Sequence, residues 1–140
     1  MLEVEILDYI EEVVKNGIAQ IILLPKEHNE IYSQIEEAEY MEDKDCKFIT
    51  GKYFDISYKT YLEEGKVDVY KTLFNRDIFF MQEIDEIVGE ISFEILKEIV
   101  LKLMAENKVF IATTDKTAEE IFGEEFTLKT TVKNFNINEE

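Results

Sequence analysis

The chain has 140 residues, 46% of them hydrophobic and 34% charged, and its 32 acids against 15 bases set a formal charge of −17. That size and apolar content describe one globular domain, residues 1–140, able to bury a core without disulfides or metal staples. The charge argues against direct binding to nucleic acid or anionic lipid, because a field of that sign repels polyanions and steers cationic partners.

Several other classes drop out early. Cys46 is the lone cysteine and can form no internal disulfide. No apolar run reaches the roughly 20 residues of a spanning helix, and the first residues lack the unbroken apolar core of a leader peptide. With fourteen lysines to one arginine, a cytoplasmic protein of bacterial or phage origin, without membrane association, is expected.

In chain order, Leu2, Ile6, Tyr9, Ile10, Val13 and Val14 recur at three- and four-residue steps. This spacing predicts an amphipathic helix over residues 2–16, stopped by Asn16-Gly17. The run IAQIILL, 18–24, is short and β-branched and reads as a buried strand. Pro25 ends it and opens a second helix over 26–42, carried by Ile31, Ile35, Ala38 and Met41.

From residue 46 the period changes to two. Phe54, Ile56, Tyr58 and Leu62 alternate with polar neighbours, Glu63-Glu64-Gly65 reads as a turn, and Val67, Val69 and Leu73 return. That pattern predicts a β-hairpin over 52–74. Residues 77–89 read as strand first and helix after. SFEILKEIVLKLMAENK predicts a helix over 92–107 with Ser92 as its cap, and VFIATT, 109–114, a strand. Asp115 is expected to cap a short helix stopped by Gly123, residues 126–135 to form a last strand, and 136–140 to fray. The fold class expected is α+β, a single domain with a mainly antiparallel sheet packed by the three amphipathic helices.

Chemistry-bearing motifs are scarce. There is no G-x-x-x-x-G-K or G-x-G-x-x-G phosphate loop and no nucleophile elbow. His28, flanked by Glu27 and Glu30, lacks a metal-ligand pattern and is as well explained by a polar first helical turn. DKDCK, 43–47, lacks the calcium-loop register. Cys46 follows acids that raise a thiol pKa, so a half-buried cysteine at a strand start is the simpler reading. No catalytic, cofactor-binding or metal-binding residue is assigned.

What stands out is the distribution of charge. Residues 1–47 carry −9 of the −17, and Glu36, Glu37, Glu39, Glu42, Asp43 and Asp45 fall within ten residues, relieved inside that window only by Lys44. Like charges at helical spacing repel by tenths of a kcal/mol per pair. Tyr40, Tyr53 and Tyr61 add amphipathic area of the kind used at interfaces, although strands favour aromatics in any case.

These nine residues are the expected partner-binding surface, and a basic protein, such as a nuclease or nucleic-acid-binding protein, is the expected partner. The function this suggests is a non-enzymatic, acidic module that blocks a basic partner, akin to an inhibitor, immunity protein, antitoxin or phage-encoded nucleic-acid mimic. The rival readings are a carboxylate-rich metal- or ligand-binding domain with enzymatic activity, and a subunit of a larger assembly. Homo-oligomerisation is compatible with each.

Overall fold

The computed structural model describes residues 2–136. At its centre is one five-stranded sheet in the order β2-β3-β4-β1-β5, with every neighbouring pair parallel. The strands are β1 (Gln20–Leu24), β2 (Cys46–Thr50), β3 (Ile78–Gln82), β4 (Val109–Thr113) and β5 (Val132–Asn134). The expectation of a mainly antiparallel α+β fold is corrected to a parallel α/β fold. The cause lies in the strands: β1 and β4 are buried along their whole length, and β3 over its first four residues. Continuous apolar runs of this kind belong to sheets covered on both faces.

Alternation along each strand deals side chains to two separate cores. Ile22, Leu24, Ile78, Phe80, Val109 and Ile111 meet α1 (Leu2–Lys15) and α2 (Ile31–Glu36). Ile21, Leu23, Phe79, Met81, Phe110 and Ala112 meet the opposite layer. That layer contains α3 (Gly51–Glu63), α4 (Val67–Thr72), α5 (Glu90–Ala105), α6 (Ala118–Phe122) and α7 (Glu124–Leu128). Among the described residues no helix is long and apolar enough to cross a membrane.

The expected hairpin over 52–74 is α3 and α4 instead. Phe54, Tyr58 and Leu62 satisfy a period of two and also the four-residue step of a helix, so alternation alone could not separate the two readings. Thr50 decides the start, its hydroxyl accepting the Tyr53 N–H at 3.0 Å. The Glu63-Glu64-Gly65 turn is a helix stop. Gly65 sits at φ 70°, Lys66 N–H reaches Tyr61 O at 2.7 Å, and Gly65 N–H reaches Leu62 O at 3.1 Å. Tyr70 and Phe74 of the next turn then pack on Phe54 with ring centroids 5.3 and 5.4 Å away.

Other boundaries move as well. The helix expected over 26–42 breaks into a 3₁₀ turn at Lys26–His28, α2, and a second 3₁₀ turn at Glu39–Met41, with Ala38 extended between the last two. Crowded carboxylates there disfavour continuous helix. Helix α5 starts at Glu90, after Gly89, and leaves Ser92 buried inside its first turn. Thr117, not Asp115, caps α6, in a reciprocal capping box with Glu120. Of residues 126–135 only Val132–Asn134 are strand. In the expected frayed tail, the Asn136 amide donates to the Thr114 and Lys116 carbonyls, and residues 137–140 lie outside the described residues.

Gly51 opens α3 against the backbone at the end of β3, where a Cβ would collide with the Glu83 carbonyl oxygen and press on Ile84 Cα. Both obstacles are main chain, so neither swings aside. Gly51→Ala is expected to destabilise the fold by about 1–3 kcal/mol, read as a lower urea midpoint at unchanged slope.

Candidate functional site

In open parallel sheets, ligands settle outside the carboxyl ends of the strands, where the strand order reverses. Here the reversal lies between β1 and β4, and the loops after β1, β3 and β4 converge there. Lys26, just past β1, places Nζ 3.6 Å from Asp85 Oδ2 and 3.4 Å from Asp115 Oδ2. Thr114, fully buried, donates its hydroxyl to Asp85 Oδ1 at 2.6 Å and accepts the Lys116 N–H at 3.0 Å. Thr113 accepts the Glu83 N–H at 2.7 Å, and Glu83 itself takes a left-handed conformation, φ 54°.

The Lys26 ammonium is bracketed by two carboxylates, Asp85 half-buried and Asp115 exposed. The Asp115 hydrogen bond and charge, with Asp85 and Glu83 behind them, raise the Lys26 ammonium above its ordinary pKa. Glu83 is raised too, first by a hydrogen bond with Glu86, then by burial and the Glu86 charge. Carboxylates already crowd this crevice. Among the described residues no three His, Cys, Asp or Glu side chains converge as a metal ion would require, and the His28 turn adds no such cluster.

The nine residues expected to bind a partner all flank β2. Glu36, Glu37, Glu39, Glu42 and Asp43 are exposed and lead into its amino end, away from the crevice. Tyr53 is 63% exposed on the first turn of α3, and Tyr61 lies two turns further on, packed against Tyr70 at 4.9 Å. Tyr40 is half-buried, and burial together with the Glu11 charge pushes its phenol up to about 12. Cys46 begins β2, half-buried as read, its thiol 3.5 Å from the Tyr32 hydroxyl.

Asp45 has a structural role that its place in the acidic run concealed. Its N–H donates to Asp77 Oδ2 at 3.0 Å while the Asp77 N–H donates back to Asp45 Oδ1 at 3.2 Å. Lys108 Nζ donates to Asp77 Oδ1 at 2.9 Å, and Arg76 Nε stands 3.8 Å from Asp45 Oδ2. This latch ties the amino ends of β2, β3 and β4. Of the crevice residues, Lys26, Asp85 and Thr114 were missed, and Asp115 was read only as a helix cap. The one signal available was polar side chains standing directly after continuous apolar strands.

No family model matches the sequence, and no curated protein sequence does either. Solved structures do share the fold. A DNA replication initiation factor superposes with TM-score 0.67 over 94% of this chain at 13% identity. Replication initiator DnaA bound to AMPPCP and single-stranded DNA gives 0.61 over 91% at 14% identity. AMPPCP-bound DnaA from Aquifex aeolicus gives 0.70 over 94% at 12% identity. In each case the chain spans 45% of the neighbour's length. The expectation of an inhibitor, immunity protein, antitoxin or nucleic-acid mimic is thereby corrected, since the fold is one shared with solved structures of replication initiators.

Two measurements probe the two ends of the sheet. Thr114→Val leaves the Asp85 carboxylate without its buried donor and is expected to cost about 1–3 kcal/mol, whereas Thr114→Ser keeps the hydroxyl and most of the stability; urea unfolding separates them. At the other end, burial raises the Asp77 carboxyl, but the Lys108 hydrogen bond, the Asp45 amide and the Lys108 charge outweigh it and hold the group below its ordinary pKa. A carboxylate depressed in the folded state stabilises above its unfolded pKa of about 3.9 and loses that contribution as pH falls through the lower folded value. Asp77→Ala is therefore expected to cost about 1 kcal/mol at pH 7 and progressively less below pH ~4, where its denaturation curve converges on that of the unsubstituted chain.

Proposed function

We propose that this chain is a replication-initiator-type domain whose ligand crevice is closed by its own side chains, and that it works by contact with other macromolecules without turning over nucleotide. The observation that carries this reading is the clamp: Lys26 is engaged by both Asp85 and Asp115 in a loop without a single glycine.

Two of the structural neighbours hold AMPPCP, an ATP analogue. A phosphate seat of that kind needs a glycine-rich loop that turns successive backbone N–H groups toward the anion, at the start of a helix. The corresponding segment here is Pro25-Lys26-Glu27-His28-Asn29-Glu30. Pro25 has no N–H, and the His28 N–H is spent on the Pro25 carbonyl at 3.1 Å. The helix that follows, α2, is six residues long and has Glu30 at its entry.

A triphosphate would displace Asp85 and Asp115 from Lys26 and face Glu83 and Glu86 as well. These residues do not fit it. Single-stranded DNA, bound by one neighbour, meets the same objection over the whole chain, at net charge −17. The setting carried over from the neighbours is replication initiation; the nucleotide chemistry is not.

Calorimetric titration with AMPPCP and Mg²⁺ tests the reading. No saturable heat is expected up to about 1 mM, equivalent to binding weaker than roughly 4 kcal/mol. Saturable binding in the micromolar range would overturn it.

A further inference from the structure

Strand β2 is one edge of the sheet, and its surroundings are built unlike those of the other edge, β5. It is five residues long against three for β5, and Lys47, Phe48, Ile49, Thr50 and Tyr53 line a cleft of about 280 Å³ beside it. The Asp45 carbonyl accepts the Ile78 N–H at 3.2 Å. Alternation along a parallel ladder then turns the backbone of Lys47 and Ile49 toward β3 and leaves the N–H and C=O groups of Cys46 and Phe48, and the N–H of Thr50, facing outward, the Thr50 carbonyl being the cap of α3. No strand pairs with that side of β2, which ends the sheet order. An edge in this state is a template for another strand.

The amino end of this edge carries a dense run of acids. Glu36, Glu37, Glu39, Glu42 and Asp43 are exposed, and no ion pair among the described residues involves any of them. They contrast with the Asp45–Asp77–Lys108 latch at the same end and the Lys26 clamp at the opposite one, both of which use their carboxylates internally.

We infer that β2 docks an extended segment of a partner protein by strand addition, and that this segment carries lysines or arginines at the end lying over the 36–43 carboxylates and apolar side chains where it passes Phe48, Ile49 and Tyr53. Main-chain bonds to the edge supply affinity, and the charged end sets which way round the strand lies. A second copy of this chain is a poor occupant, since each copy brings −17 of like charge. The inference does not depend on the crevice: it concerns the other end and the edge of the sheet.

The test uses two fluorescent peptides, each an alternating Thr-Val hexapeptide with three lysines, placed at the amino end in one and at the carboxyl end in the other. One of the two is expected to bind saturably and to weaken steeply with salt. Methylating the backbone nitrogens along one edge of that peptide is expected to weaken binding at least about tenfold, and along its opposite edge by less than about twofold, because only one edge meets β2. The amide resonances of Cys46, Phe48 and Thr50 shift on binding. The triple variant Glu36→Lys, Glu37→Lys, Glu39→Lys, with an unchanged circular dichroism spectrum, loses about tenfold in affinity and most of the salt dependence.

Four outcomes would overturn the inference: no binding of either peptide at about 1 mM, equal effects of methylation on both edges, equal binding of trilysine alone, or self-association of the chain through the same amides. None of them touches the AMPPCP result, so the two readings fail separately.

Discussion

The structure depends on a parallel sheet that must be dry on both faces. Parallel pairing obliges the chain to cross from the end of each strand back to the start of the next, and the crossings lay helices over the sheet. Ile21 and Leu23 therefore serve one core while Ile22 and Leu24, their immediate neighbours, serve the other. Two layers of helices become a requirement of β1, β3 and β4, and α1 on one side and α5 on the other supply the widest apolar faces. The aromatic row from Tyr70 through Phe74 and Phe79 to Phe110, with successive centroids 4.9, 4.9 and 5.4 Å apart, fills the space between α4 and the middle of the sheet.

The same topology sorts the loops by end, and with them the charge. At the amino ends of β2, β3 and β4, acids and bases are consumed in a reciprocal latch; at the carboxyl ends of β1, β3 and β4, Lys26 is consumed by two aspartates. In both places ionised groups act as ties between strand ends: Asp45 and Asp77 each accept a backbone N–H, and Asp85 accepts the Thr114 hydroxyl, besides facing a cation. Such arrangements are worth more than isolated surface pairs. Glu36, Glu37, Glu39, Glu42 and Asp43 stand exposed at the corner where the chain enters β2.

How far these features were legible in the residues varies with the range of the signal. The α1 stripe from Ile6 to Val14, the runs of β1 and β4 and the long stripe of α5 declare themselves within a single window. Residues 52–74 do not: a helix with buried positions 54 and 58 and a strand with inward positions 54, 56 and 58 share most of their apolar residues. The determinants that chose helix were the Thr50 hydroxyl, which drew no notice in the sequence, and the Gly65 stop, which was read as a hairpin turn. That one misreading turned a parallel sheet into an antiparallel one. The nine residues around β2 were found as a group because they are near one another in sequence. The crevice was not, because Lys26, Asp85 and Thr114 are brought together only by the crossings.

The amino-acid sequence alone determined that the chain has apolar runs enough to bury, that its charge is lopsided along the chain, and that it holds no glycine-rich phosphate loop. Each of these is a property of composition or of neighbours along the chain. Tertiary structure alone decided the strand order, the pairing of Lys26 with Asp85 and Asp115, and the use of Asp45 as a tie. The physical reason is that hydrogen bonds and ion pairs are short-ranged, so their partners are chosen by where the sheet sets the strand ends and not by distance along the chain.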